Sequence, residues 1–181
     1  RTTKDFDAVV IACFDHTGLD AARCMTDKPV IGIGEAAYHM ASMISNKFSV
    51  VTTLSRSVPA LEHNLHRYGL IARCARVRAS EVAVLELEHP GSDACNRISA
   101  EIGRAVVEDH AEAVVLGCAG MADLAESLSR AHGLPVLDGV TCAVGLAESM
   151  VKLRIFTSRL GGYSPPPPEK ARGYGSTGLQ S

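Results

Sequence analysis

Tryptophan is absent from these 181 residues, and only four Tyr and four Phe are present. So few flat rings leave little on which nucleic-acid bases could stack. There is no long basic run and the formal net charge is −2, which leaves neither a phosphate-backbone footprint nor a handle for an anionic membrane. Apolar runs stop far short of the ~20 residues that span a bilayer, and no secretory h-region is visible near Arg1. The six cysteines form no CxxC pair and show no zinc-like spacing. Without a visible export signal, free thiols in a reducing, cytoplasmic setting are the expectation. What is left is an ordinary globular composition, 46% hydrophobic and 21% charged.

Apolar runs of strand length alternate with helix-period stretches, the pattern of an α/β protein with parallel sheets. Strands are expected at Ala8–Cys13, Pro29–Ile33, Phe48–Leu54, Arg73–Ala79, Ala113–Gly117 and Pro135–Asp138. Helices are expected at Leu19–Met25, Glu35–Ser45, Val58–Tyr68, Asp93–Asp109, Met121–Ala131 and Thr141–Lys152, with Ser92 as an N-cap. Beyond Thr157 the run "SRLGGYSPPPPEKARGYGSTGLQS" reads as a tail or surface arm.

One internal repeat organises the chain. "DAVVIACFDHTGLDAARCMTDKPVIGIGEAA" from Asp7 aligns with "EAVVLGCAGMADLAESLSRAHGLPVLDGVTCA" from Glu112, with a one-residue insertion in the second copy. Cys13 falls on Cys118, Leu19 on Leu124, Pro29 on Pro135 and Ala37 on Ala143. Similar local sequence at a fixed separation means two copies of one supersecondary unit, here strand, Cys, helix, strand, helix. The second copy is preceded by two further strand–helix units starting near Phe48, whereas little precedes the first. Symmetry therefore predicts about sixty further residues ahead of Arg1, two βα units' worth. The expected architecture is two pseudo-symmetric, doubly wound parallel-sheet α/β domains with the active site in the cleft between them. Residues 1–46 and 142–156 would form the first domain, incomplete at its N-terminus, residues 47–141 the second, and residues 157–181 the tail.

In a parallel α/β sheet, ligands sit beyond the carboxyl ends of the strands. Cys13 and Cys118 both occupy that position, before an expected helix start whose N–H groups would ease ionisation. Two such units facing each other present two thiols from opposite sides. That suits removal of a proton from one face of a carbon and return of one to the other, with an enolate between. Coincidence would have to strike both repeats, so this pair stands apart from Cys24, Cys74, Cys95 and Cys142, which read as packing or idle thiols.

These motifs, "VVIACF" and "VVLGCAGM" at their observed spacing, resemble the aspartate/glutamate racemase superfamily, and within it the hydantoin and allantoin racemases. The resemblance extends through "FSVVTTLSRSVPALEHNLHRYGL", "GLPVLDGVTCAVGLAE" and the "TSRLGGYSPPPP" arm, essentially the whole chain. It implies a cofactor-independent isomerase with no metal, whose catalytic acid and base are Cys13 and Cys118. It also implies that Thr52 and Thr53, at a strand exit, hold the substrate, with Phe14, Asp15, Ala119 and Gly120 beside the cysteines as further substrate contacts. The partner implied is a small molecule, with no nucleic acid or membrane, and the protein is expected to be a homo-oligomer. Many hydantoin racemases carry an Asp-Pro pair where this chain has His16 and Thr17. The amino-acid racemases usually have Thr after their cysteines, where this chain has Phe14 and Ala119, which favours an uncharged cyclic substrate over aspartate or glutamate. Three rival readings are an Asp/Glu racemase, a maleate cis-trans isomerase on the same fold, and a non-catalytic binding protein. Related decarboxylases keep only one of the two cysteines.

Other signals have plainer readings. "GIGEAA" at Gly32–Ala37 matches G-x-G-x-x-A, but the acidic residue that a dinucleotide site wants about 20 positions on is missing, so a tight strand–helix turn is preferred. His63 and His66 lie three apart on an expected helix without a third ligand and read as solvated surface. Glu35 and Asp138 either line the cleft or cap a helix. His16 either tunes Cys13 or is an idle loop residue.

Overall fold

The computed structural model describes residues 6–89 and 92–166. The strands are β1 (Val9–Ile11), β2 (Val30–Gly32), β3 (Phe48–Thr52), β4 (Cys74–Ala79), β5 (Ala113–Leu116) and β6 (Val136–Asp138). The helices are α1 (Leu19–Met25), α2 (Ile33–Ile44), α3 (Val58–Arg67), α4 (Ala94–Glu108), α5 (Ala125–His132) and α6 (Gly139–Lys152). All pairing is parallel: β1 with β2 in one sheet, and the order β4-β3-β5-β6 in the other. This is the α/β, parallel-sheet architecture that the alternation of apolar runs predicts.

The repeat is a repeat of structure. Val9 pairs with Val30 as its aligned partner Val114 pairs with Val136. Val9 N donates to Pro29 O at 2.8 Å, and Val114 N to Pro135 O at 2.9 Å. After each cysteine the chain turns in the same way, His16 N donating to Cys13 O and Met121 N to Cys118 O, both at 3.1 Å.

The four-stranded sheet is buried on both faces, and its residues alternate between two cores. Phe48, Val50, Val77, Ala113 and Val115 face α2, α3 and α6; Val51, Val114, Leu116 and Val136 face α4 and α5. α2 and α6 pack on each other, and each touches strands of both sheets, so this helix pair joins the halves. Their N-termini meet where Gly139 lies against Ile33: a Cβ at Gly139 would stand 2.7 Å from Ile33 O. Only a residue without a side chain permits that approach.

Beneath β4, Arg78 reaches Asp109 through Nε (2.6 Å) and Nη2 (2.7 Å), and Glu108 at 2.7 Å. Burial alone would raise the Asp109 carboxyl; hydrogen bonds from Arg78 and Ser49 overcome it and hold the group below its ordinary range.

Several element ends differ from expectation. α2 and α6 begin two residues early, at Ile33 and Gly139. The expected helix at Met121 starts as a 3-10 segment, Ala119–Leu124, and becomes α5 only at Ala125. The N-cap of α4 is Asp93, because the Ser92 hydroxyl is spent on Glu86 O at 2.7 Å. Of the expected tail, residues 157–166 lie along α1 and residues 167–181 fall outside the described residues. No helix among the described residues is long and apolar enough to cross a membrane.

Candidate active site

Cys118 lies two residues beyond β5 and is the N-cap of the 3-10 segment Ala119–Leu124. Gly117, buried between, leaves a side chain little room: a Cβ there would stand 3.0 Å from Thr52 Cβ and 3.2 Å from Leu61 Cδ2. Thr52 Oγ1 donates to Gly117 O at 3.1 Å, pinning the approach to Cys118 onto β3. Thr52 therefore keeps only lone pairs to offer a ligand. Thr53 is buried at the strand exit and makes no side-chain hydrogen bond among the described residues. Ser80 donates to Thr52 O at 3.1 Å and fixes that exit.

Cys13 lies two residues beyond β1 and is exposed; Cys118 is half-buried. Their surroundings overlap, for the Cys118 thiol is pushed up by burial first, and then by the negative charges of Asp15 and of an ionised Cys13. The N–H of Gly120, hydrogen-bonded to the Cys118 sulfur, opposes that rise. A helix start was expected to ease ionisation at both cysteines. At Cys118 the opposite holds, because desolvation outweighs one backbone N–H. At Cys13 there is no helix start: residues 14–18 form a turn, and α1 begins only at Leu19.

The remaining candidates divide. Asp15 is exposed and acts on Cys118. Ala119 and Gly120 follow Cys118 on the 3-10 segment. Phe14 turns away into the core, 5% exposed, with its ring edge-on to Tyr38 at 5.6 Å between centroids. Only its backbone is left at the turn. Two neighbours of Gly120 come from a stretch that sequence reasoning passed over, the 3-10 segment Val84–Glu88 after β4. A Cβ at Gly120 would lie 3.2 Å from Leu87 Cδ1 and 3.7 Å from Val84 Cγ1. The apolar run "VAVL" in an otherwise polar loop was the available signal.

His16 has a definite place. It is 6% exposed, its Nε2 accepts from Glu35 N at 3.0 Å, and its Nδ1 meets Tyr68 Oη at 2.6 Å. Burial, the largest influence, lowers it to about 4. Glu35 and Asp138 also resolve: Glu35 pairs with Arg23 at 2.6 Å, and Asp138 caps α6 by accepting from Thr141 N at 2.7 Å. "GIGEAA" is explained too, because a Cβ at Gly32 would stand 2.7 Å from His16 Cδ2 and one at Gly34 2.9 Å from His16 Nε2. These glycines make room for an imidazole.

Cys74 and Cys142 are buried in the core, where burial pushes the thiols up to about 12 and about 11. Cys24 Sγ donates to Gly162 O at 3.6 Å, and Cys95 is exposed. His63 and His66 are exposed on α3. Among the described residues no group of three or more His, Cys, Asp or Glu is placed to hold a metal ion.

Two copies of a strand–Cys–turn unit within a parallel α/β fold define a class, and comparison with known proteins assigns the family. Residues 1–147 match the Asp/Glu/hydantoin racemase family, and the chain belongs to it. It is 48% identical over 168 residues to a hydantoin racemase of Rhizobium meliloti, covering 93% of this chain and 70% of that protein. A hydantoin racemase of Pseudomonas sp. (strain NS671) is 46% identical over 160 residues, 88% of this chain and 64% of that one. The structure of an allantoin racemase from Klebsiella pneumoniae superposes with a TM-score of 0.87 at 44% identity, over 90% of this chain and 66% of its own. The chain thus spans about two thirds of the length of these relatives.

Proposed function

We propose that the protein is an isomerase, a racemase of 5-substituted hydantoins or of allantoin that works with two opposed thiols and needs no cofactor. The observation that carries this is the pairing itself: Cys13 and Cys118 each lie two residues beyond equivalent strands of two equivalent units. Its relatives' hydantoin and allantoin racemase activities support the substrate class.

The pair accommodates one negative charge better than two, since an ionised Cys13 raises Cys118. In one direction the Cys13 thiolate takes the proton from C5, and the C–H electron pair moves onto the neighbouring carbonyl as an enolate. The Cys118 thiol then gives its proton to the opposite face of C5 as the enolate collapses. The product has inverted C5, Cys13 is left as thiol and Cys118 as thiolate, and turnover of the other enantiomer resets the pair. The Thr53 hydroxyl is available to donate to the enolate oxygen. Val84 and Leu87, beside Gly120, provide an apolar wall for the C5 substituent. Asp15 next to Cys118 disfavours an anionic substrate, which supports a neutral ring over free aspartate, glutamate or maleate. A cytoplasmic, reducing location keeps both thiols free.

The test is exchange of the C5 proton for deuterium in each hydantoin enantiomer, followed by NMR in D2O with an enzyme-free control. Cys13→Ser and Cys118→Ser should both stop racemising, one still exchanging one enantiomer and the other its mirror image. Wild-type protein with no exchange above background would exclude this reading, and activity on aspartate or glutamate instead would replace it with the amino-acid one.

A further inference from the structure

We propose that His16 is the residue that positions Cys13, acting as a neutral imidazole with its proton on Nδ1 that ties the Cys13 turn to α2 and α3. The proposal rests on the reading of Cys13 as a catalytic base.

The argument begins with the two copies of the repeat. In the second, α6 is capped by its own N-cap side chain, Asp138 accepting from Thr141 N. In the first, the aligned N-cap of α2 is Gly32, which has no side chain to give. The N–H that corresponds to Thr141's belongs to Glu35, and His16 Nε2 accepts it from 19 residues away in the chain. Since Nε2 accepts, it carries no proton; the ring proton is on Nδ1 and is donated to Tyr68 Oη.

Both ring nitrogens are therefore spent on protein, and at 6% exposure the ring does not reach a substrate. What it controls is the turn. His16 has φ of 61°, in the left-handed region, a strained conformation for a non-glycine residue that persists only where its surroundings hold it. They do: Asn64 Nδ2, one turn ahead of Tyr68 on α3, donates to Asp15 O at 3.2 Å. The turn after Cys13 is thus gripped at successive residues. α3 follows β3, whose Thr52 is bonded to Gly117 next to Cys118. A contiguous path of hydrogen bonds and packed elements therefore sets one thiol against the other.

The test separates positioning from capping. The proteins compared are wild type, His16→Ala, Tyr68→Phe, and the double variant His16→Ala/Gly32→Asp, which gives α2 the local cap that α6 has once the end of the Leu19 side chain, 2.8 Å from a Cβ at Gly32, turns into the space the imidazole leaves. The readouts are melting temperature, kcat and KM for a 5-substituted hydantoin, and cross-linking of Cys13 to Cys118 by o-phenylene dimaleimide. The wild-type His16 ring should show the Nδ1–H tautomer in its 15N NMR spectrum. His16→Ala should lower kcat by about tenfold to a hundredfold, with KM changed far less, and should slow the cross-link; Tyr68→Phe should shift both in the same direction by less. The double variant should recover melting temperature but neither kcat nor cross-linking. If kcat returns together with stability, or His16→Ala leaves kcat and cross-linking unchanged, the proposal is overturned. Should wild type fail to racemise hydantoins, the racemase reading falls, and the cross-linking rates still decide whether His16 places Cys13. A wild type that neither racemises nor cross-links would overturn both.

Discussion

The two copies of the repeat share strand register and the turn that follows the cysteine, yet they are held together differently. β5 is buried along its whole length, whereas every residue of β1 is only half-buried. In the second copy the helix ends are closed locally: α6 by Asp138, and α5 by Gly133, in the left-handed region at φ 68°. In the first copy they are closed from afar. His16 caps the start of α2, and the end of α1 is closed by Arg159, whose guanidinium donates to Arg23 O, Thr26 O and Cys24 O at 2.8–2.9 Å. The same backbone problem is solved once by neighbours in sequence and once by residues that only folding brings near. The two thiols are also unequal, Cys13 exposed and Cys118 half-buried with its ionisation disfavoured.

The inequality of the thiols can be broken outright. Either Cys→Ser variant should lose racemisation by at least about a hundredfold, measured by polarimetry. Alkylation mapped by peptide mass spectrometry should modify Cys13 before Cys118 at neutral pH, by about tenfold in rate, since Cys118 is both shielded and harder to ionise.

The equivalence of the halves depends on the close meeting of α2 and α6. Gly139→Ala drives a methyl into Ile33 O, a backbone atom that cannot swing away, and should cost about 2–3 kcal/mol in urea denaturation. An unchanged midpoint would show that the helix pair tolerates separation.

The remote cap should differ from the local one in its response to acid. His16 is lowered from 6.5 to about 4 in the fold by burial, with Arg23 and Arg67 adding to that and Glu35 and Asp20 opposing it. The unfolded chain therefore binds the proton first as pH falls, so the stability from His16 is full above about 6.5 and is lost toward 4. Between pH 7.5 and pH 5 wild type should lose about 2 kcal/mol more than His16→Asn. Equal losses would show that His16 titrates normally. Asp138→Ala, which removes one local cap, should cost about 1 kcal/mol, the smallest effect here, and without the acid dependence specific to His16.

The repeat, the succession of elements within each copy and the correspondence of Cys13 with Cys118 were legible in the sequence, because they are carried by local pattern: apolar runs of strand length, Pro29 against Pro135, Cys13 against Cys118. So were α1, in full, and the ends of α3 and α4 to within a residue. The 3-10 start after Cys118, the inward turn of Phe14 and the apolar neighbours Val84 and Leu87 were not legible, since each depends on what packs across from it. His16 and the glycines of "GIGEAA" show the division most clearly. Alone they read as an idle loop residue and a false nucleotide fingerprint; together they are one device, since a Cβ at Gly32 would collide with the imidazole at 2.7 Å. The sequence by itself determined which elements form and which thiols correspond, because hydrophobic periodicity and repetition act over a few residues. Only the tertiary structure decided how the thiols differ and what holds them, because burial, remote caps and close backbone approach exist only once distant segments share one core.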